Sequence, residues 1–134
     1  YLRPTTPLRN PKTLDKAIIK FEKIKNFDSM ISVNQTSSAF KTFVIKKKKY
    51  LRPSFKNMTL DDANKPRQNF TPTYVGNGYF DIIKTKNILN NSFLGNKCFP
   101  FITKEIIDID KKKDLVLAKF IVKNKIKFLD FYEF

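Results

Sequence analysis

With 134 residues, 41% of them hydrophobic and fourteen of them Phe, the chain is long enough for one domain with a core and too apolar for wholesale disorder. No apolar run approaches the ~20 residues that span a bilayer; one cysteine closes no internal disulfide, and a sequence without histidine argues against zinc. The net charge of +15 raises a nucleic-acid surface, yet only Arg3, Arg9, Arg52 and Arg67 are arginines and the lysines are scattered rather than striped, so surface lysine from an AT-rich genome, in a cytoplasmic protein without membrane or specific nucleic-acid partners, is the expectation.

Tyr1-Leu2 reads as a strand end emptying into the Pro-stiffened loop Arg3-Pro4-Thr5-Thr6-Pro7-Leu8-Arg9. A start inside a strand leads us to expect further sequence upstream. Asn10 to Asn26 is the clearest helix: Asn10 can cap it, Pro11 suits its first position, and Leu14, Ala17, Ile18, Phe21 and Ile24 share one face. Ser29 to Val33 is a short strand, completing a strand-helix-strand order typical of a parallel sheet. Thr42–Ile45 and Tyr50–Leu51 flank four lysines as a hairpin with a charged tip.

Pro53 to Pro72 is polar and aperiodic, a loop or arm. Tyr79 to Ile83 is a strand and Lys86 to Asn91 a short helix. Phe99–Thr103 and Ile106–Ile109 read as two strands or one broken strand. Lys111 to Lys123 is the last helix, with Leu115, Ala118, Ile121 and Val122 on its apolar side. The aromatic tail from Lys125 to Phe134 is unassigned.

Three segments can carry chemistry. In an extended strand, Asp108 and Asp110 point to one side, so both carboxylates can face a hard cation such as Mg²⁺; alternatively, Asp110 caps the last helix. The loop Arg3–Arg9, with Thr5 and two guanidiniums, lies where α/β sheets bind phosphate or carboxylate ligands, or else it simply caps the first helix. Lys65-Pro66-Arg67-Gln68, followed by Tyr74-Val75-Gly76-Asn77-Gly78, offers either close approach of backbone to a ligand or a tight turn.

Taken in order, these segments resemble the N-acylneuraminate cytidylyltransferase (CMP-sialic acid synthetase) family. Arg3-Pro4-Thr5-Thr6-Pro7-Leu8-Arg9 is similar to its QPTSPLR segment and Ser38-Ala39-Phe40-Lys41-Thr42 to the place of a sugar-facing lysine. Pro66-Arg67-Gln68 is similar to its PRQ, Asn77-Gly78 to its NG, and Ile107-Asp108-Ile109-Asp110 with Asp114-Leu115 to its IDID…DL ending. The resemblance implies a partial Rossmann-like α/β nucleotidyltransferase sheet over residues 1–134, with flanking helices and a protruding dimerisation arm near residues 42–65.

It also implies transfer of CMP from CTP to a sugar acid with release of pyrophosphate, by a homodimer. Asp108 and Asp110 would be catalytic and hold Mg²⁺; Arg3, Thr5, Lys41, Arg67, Gln68 and Asn77 would bind substrate. Arg3, Val75 and Asp81 depart from the family's usual residues on the acceptor side, so a nonulosonic acid other than sialic acid is open. The family's glycine- and lysine-bearing triphosphate loop has no counterpart in these residues, whose glycines are Gly76, Gly78 and Gly95; by itself the chain is expected to be inactive. A basic nucleic-acid-binding module and a non-catalytic relative of the fold are the alternatives.

Overall fold

A computed structural model describes residues 1–124; the aromatic tail lies outside the described residues. The chain is mixed α/β and divides into two compact units, residues 1–34 with 76 onward, and residues 35–75. Among the described residues no helix is long and apolar enough to cross a membrane.

In the first unit, helix α1 spans Pro11–Lys23. The Asn10 side chain accepts from the Lys12 N–H at 3.0 Å, as its position before Pro11 predicts. Ala17 is fully buried, and Leu14, Phe21 and Ile24 pack on the core with it. Ile18 departs from the expected face and is 49% exposed, because the stripe of residues 14, 17, 21 and 24 passes to one side of it.

The sheet has the order β4-β1-β5, with β1 at Ser29–Gln35, β4 at Tyr74–Ile83 and β5 at Cys98–Ile102. Strands β1 and β5 run parallel, Met30 opposite Phe99. Strand β4 runs the other way: Ser32 bonds Phe80 while the Asp28 carbonyl accepts from Lys84, so rising numbers on one strand meet falling numbers on the other. Tyr1 forms no regular strand, but it exchanges both backbone bonds with Asp81, at 2.7 and 3.0 Å. That exchange is antiparallel pairing, so the first residues run in the direction of β1. Of the expected strand-helix-strand order the structure holds α1 followed by β1, with no strand before the helix.

Met30, Tyr79 and Phe80 complete the core with Ala17; burying each large side chain contributes about 2 kcal/mol. The Tyr79 hydroxyl reaches the backbone of Asn10, accepting its N–H at 2.6 Å. Helix α4, Lys112–Lys123, follows the expected bounds and buries Ala118 and Ile121, whereas Leu115 and Val122 are exposed.

Three expectations are corrected here. Ile106–Ile109 is not a strand, since the tie it makes is one bond from the Ile109 N–H to the Thr5 carbonyl, 2.8 Å, which is too little pairing for a ladder. Asp110 does not cap α4: the cap is Lys111, and Asp114 accepts the N–H groups of Lys111 and Asp110 at 2.8 and 3.2 Å. Asn77-Gly78 is no hairpin turn but lies inside β4.

The loop between helix α3 (Thr85–Leu89) and β5 is fastened by Asp28. Its carboxylate accepts the Asn96 and Lys97 N–H groups at 3.0 and 3.2 Å. Those bonds, more than the nearby lysines, hold its pKa below the usual carboxylate value. Because the folded pKa is depressed, this stabilisation is complete above the unfolded value of about 3.9 and fades as pH falls below it. Asp28→Asn should therefore flatten the acid limb of stability below about pH 4, read by circular dichroism; an unchanged limb would remove Asp28 from that account.

The second unit holds a hairpin of β2 (Phe43–Lys46) and β3 (Tyr50–Pro53). Lys47 and Lys48 both take positive φ, +52° and +53°, and the Lys49 N–H returns to the Lys46 carbonyl at 3.0 Å. This is the primed turn that Asn-Gly suits best. Replacing Lys47-Lys48 by Asn-Gly should stabilise the hairpin by about 1 kcal/mol, measured by urea denaturation; a lower midpoint contradicts the turn assignment. The register places Phe43, Ile45, Leu51 and Pro53 on one face, and Phe43, Ile45 and Leu51 are exposed.

The stretch expected to be aperiodic contains helix α2, Leu60–Asn64, under a capping box of Thr59 and Asp62. Bonds from Lys65 and Thr59 hold the Asp62 carboxyl far below its ordinary pKa. Buried Ala63 lies on α2, and Phe40 stacks on Phe70, with ring centres 5.4 Å apart, and meets Phe55 at 4.6 Å.

Candidate functional site

The loop Arg3–Arg9 is placed by one guanidinium. Arg9 donates through Nε to the Tyr79 carbonyl at 2.6 Å and through Nη2 to the carbonyls of Gly78 and Arg3 and to the Thr6 hydroxyl. Thr6, buried, also donates to the Gly78 carbonyl at 2.9 Å. Burial pulls the Arg9 pKa down, opposed by Tyr79 and by the nearby carboxylate of Asp108. Of the two guanidiniums expected to meet a ligand, Arg9 is instead a staple between loop and strand.

Arg3 has its ion-pair partner in Asp81, Nη2 to Oδ2 at 4.0 Å. Two of the three departures from the resembled family's pattern thus face each other. Gly78, at φ +69°, leaves room for this: a Cβ there would come within 2.9 Å of the Arg3 Cδ. Asn77 is half-buried, with Nδ2 donating to Thr103 Oγ1 at 2.6 Å and Oδ1 accepting from the Tyr79 N–H at 3.3 Å.

The bond from Ile109 to the Thr5 carbonyl sets the Asp108–Asp110 segment beside this loop. A γ-type turn follows, the Asp110 N–H meeting the Asp108 carbonyl at 3.2 Å, so strand alternation is not what orients the pair. Asp108 Oδ1 is buried without a hydrogen-bond partner. Leaving a buried carboxylate oxygen unpaired costs about 1–3 kcal/mol or more, and an orphan of this kind fits a cation. Among the described residues no three acidic, thiol or imidazole groups gather into a cluster. Asp110 is exposed, and a cation at Asp108 would be completed by phosphate oxygens and water rather than by an all-protein cage.

Lys41, Arg67 and Gln68 belong to the second unit, where all three are exposed. Lys41 Nζ donates to the Lys65 carbonyl at 2.6 Å, and Arg67 Nη2 to the Thr36 carbonyl at 3.2 Å. Arg67 and Gln68 line a cavity of about 570 Å³ together with Ser38. Sequence reasoning passed over Ser38, because its burial is set by residues distant along the chain.

No protein-family model matches this sequence, and no curated protein matches it.

Proposed function

We propose that the chain supplies the cation-holding part of a cytidylyltransferase with a partial Rossmann-like nucleotidyltransferase sheet. In this reading a sugar acid's anomeric hydroxyl oxygen forms a bond to the α-phosphorus of CTP. The bond to the β-phosphate breaks, pyrophosphate leaves, and the hydroxyl proton passes to solvent. The single observation that carries the reading is the buried, unpartnered Oδ1 of Asp108, anchored beside the loop Arg3–Arg9 through Ile109 and Thr5.

Asp108 and Asp110 are the residues that would hold Mg²⁺, which when bound neutralises charge developing on the phosphates. Arg9 fixes the loop so that Thr5 stays against the carboxylate segment. Arg3, Lys41, Arg67, Gln68 and Asn77 are the substrate-binding positions, and the Arg3–Asp81 pair favours an acceptor other than sialic acid itself. A homodimer is part of the same reading: a two-stranded hairpin is marginal alone, and the face of Phe43, Ile45 and Leu51 is uncovered in the single chain.

The test is Mg²⁺-dependent pyrophosphate release from CTP, assayed over a panel of nonulosonic acids. Release that needs both the acid and the Asp108–Asp110 pair supports the reading. No release with any acid across the panel, in the full-length gene product, counts against it.

A further inference from the structure

We infer that one face of the β2–β3 hairpin binds a single-stranded nucleic acid without regard to sequence. Tyr50 is the ring on which a base stacks, and Lys46, Arg52 and Lys56 are the phosphate contacts. The register sets Lys46 opposite Tyr50 and Val44 opposite Arg52. Side chains alternate across a strand, so these four share the face turned away from Phe43 and Ile45. Residues 54–60 stand beside that face and close it into a cavity of about 900 Å³. They are fastened there: the Ser54 N–H donates to the Thr42 carbonyl at 3.0 Å, the Phe55 ring meets Phe40, and Thr59 is held in the capping box of α2.

The charge of this cavity has one sign. Lys46, Arg52 and Lys56 line it and no carboxylate does, and among the described residues none of the three makes an ion pair. Residues 43–60 hold six basic side chains and no acidic one, so lysines that are scattered over the whole chain are concentrated here. Two of them, Lys47 and Lys48, occupy positive-φ positions that Asn-Gly would fill with less strain.

A lone phosphate would use the cations alone. The interleaving of cation and ring points instead to a strand of bases. Tyr50 is exposed, faces Lys46 across the hairpin, and on its own strand stands about 7 Å from Arg52. Every base has a π-face, and a cationic groove with an exposed ring holds single strands whatever their sequence. A duplex keeps its bases stacked inside, and a ribbon that reads its major groove must project into that groove. Walled by residues 54–60, this face receives a chain rather than entering a groove. The cavity lies wholly within residues 35–75, and the inference is independent of the transferase reading.

The test is fluorescence anisotropy of a labelled oligothymidylate of about twelve nucleotides with the 134-residue chain. A duplex of the same length, inorganic polyphosphate and phosphatidylserine vesicles serve as competitors. Binding is expected with a log–log salt slope of about −2, from three phosphates at about 0.7 each. Arg52→Gln should weaken binding and bring the slope to about −1.4. Tyr50→Ala should weaken it about tenfold, the loss of one stacked base, with the slope unchanged; Tyr50→Phe should stay within about twofold of the parent. Unfolding of the hairpin would lower affinity and slope together, so this split reports the ring itself. Lys12→Gln, on α1, removes the same charge as Arg52→Gln and should change affinity by less than about twofold.

Polyphosphate or duplex competing as well as the unlabelled oligonucleotide, at matched phosphate concentration, would make charge alone responsible and overturn the inference. A loss in Lys12→Gln as large as in Arg52→Gln, or vesicles outcompeting the oligonucleotide, would overturn it too. None of these results touches Mg²⁺-dependent release by the Asp108–Asp110 pair, so the two readings fail separately.

Discussion

Asp108→Asn and Asp110→Asn are each expected to cut Mg²⁺-dependent pyrophosphate release by roughly 10³-fold, equivalent to about 4 kcal/mol of transition-state stabilisation. The substitution keeps shape and removes the charge that a hard cation requires. Folding should hardly change at Asp108, since Oδ1 has no hydrogen bond to lose. The two variants should also resemble the double variant, because ligands of one ion act as a unit. The measurement is made on the full-length gene product. Unimpaired release in both variants, at the same Mg²⁺ concentration, would exclude the pair as the seat of the metal.

The second large effect is structural. Gly95 has φ +71°, and a Cβ built there falls 2.4 Å from the Asp28 Cβ and 2.8 Å from Asn87 Nδ2. Neither neighbour can yield cheaply. Asp28 carries the Asn96 and Lys97 N–H groups, and Asn87 donates to the Asp28 carbonyl at 3.1 Å. Gly95→Ala adds left-handed backbone strain of about 1–2 kcal/mol to an overpacking cost of about 1–3 kcal/mol. A loss of about 3 kcal/mol in total corresponds to roughly 10 °C in melting temperature for a protein of this size. A shift below about 2 °C would show that the loop leaves its Asp28 clamp easily.

Much of the first unit was readable because its signals are local. Asn10-Pro11 announces α1, and the apolar spacing of residues 14, 17, 21 and 24 names its buried face. The hairpin was readable as two apolar runs around a polar tip. Helix α2 was not, since five residues carry no measurable period; its signal was the Thr59–Asp62 spacing of a capping box, with Asp in place of the commoner Glu.

Ile106–Ile109 has a strand's composition, and whether such a segment becomes a strand depends on a neighbour offering a ladder. It finds Thr5 alone. Asp108 and Asp110 were candidates by residue type alone, whereas the burial of Asp108 Oδ1 depends on its surroundings and was not readable. Ser38 and Arg9 escaped because what defines them is what they meet: for Arg9 a carbonyl 70 residues further along the chain, and for Ser38 the threonine that takes over its capping duty.

The Arg9 staple has one further consequence. The carbonyls of Arg3, Gly78 and Tyr79, which take its N–H groups, are main-chain groups, present whatever residues stand at those positions. The loop's location thus depends on the path of the strand rather than on its side chains, apart from Gly78, where a Cβ would meet Arg3 at 2.9 Å. Arg3 and Asp81, whose side chains pair beside that staple, can be exchanged without dislodging Thr5 or the carboxylates it steadies. In the proposed reading, acceptor preference and the frame beside the carboxylates are in that sense separately mutable, and a library randomised at positions 3 and 81 should retain folded members at high frequency.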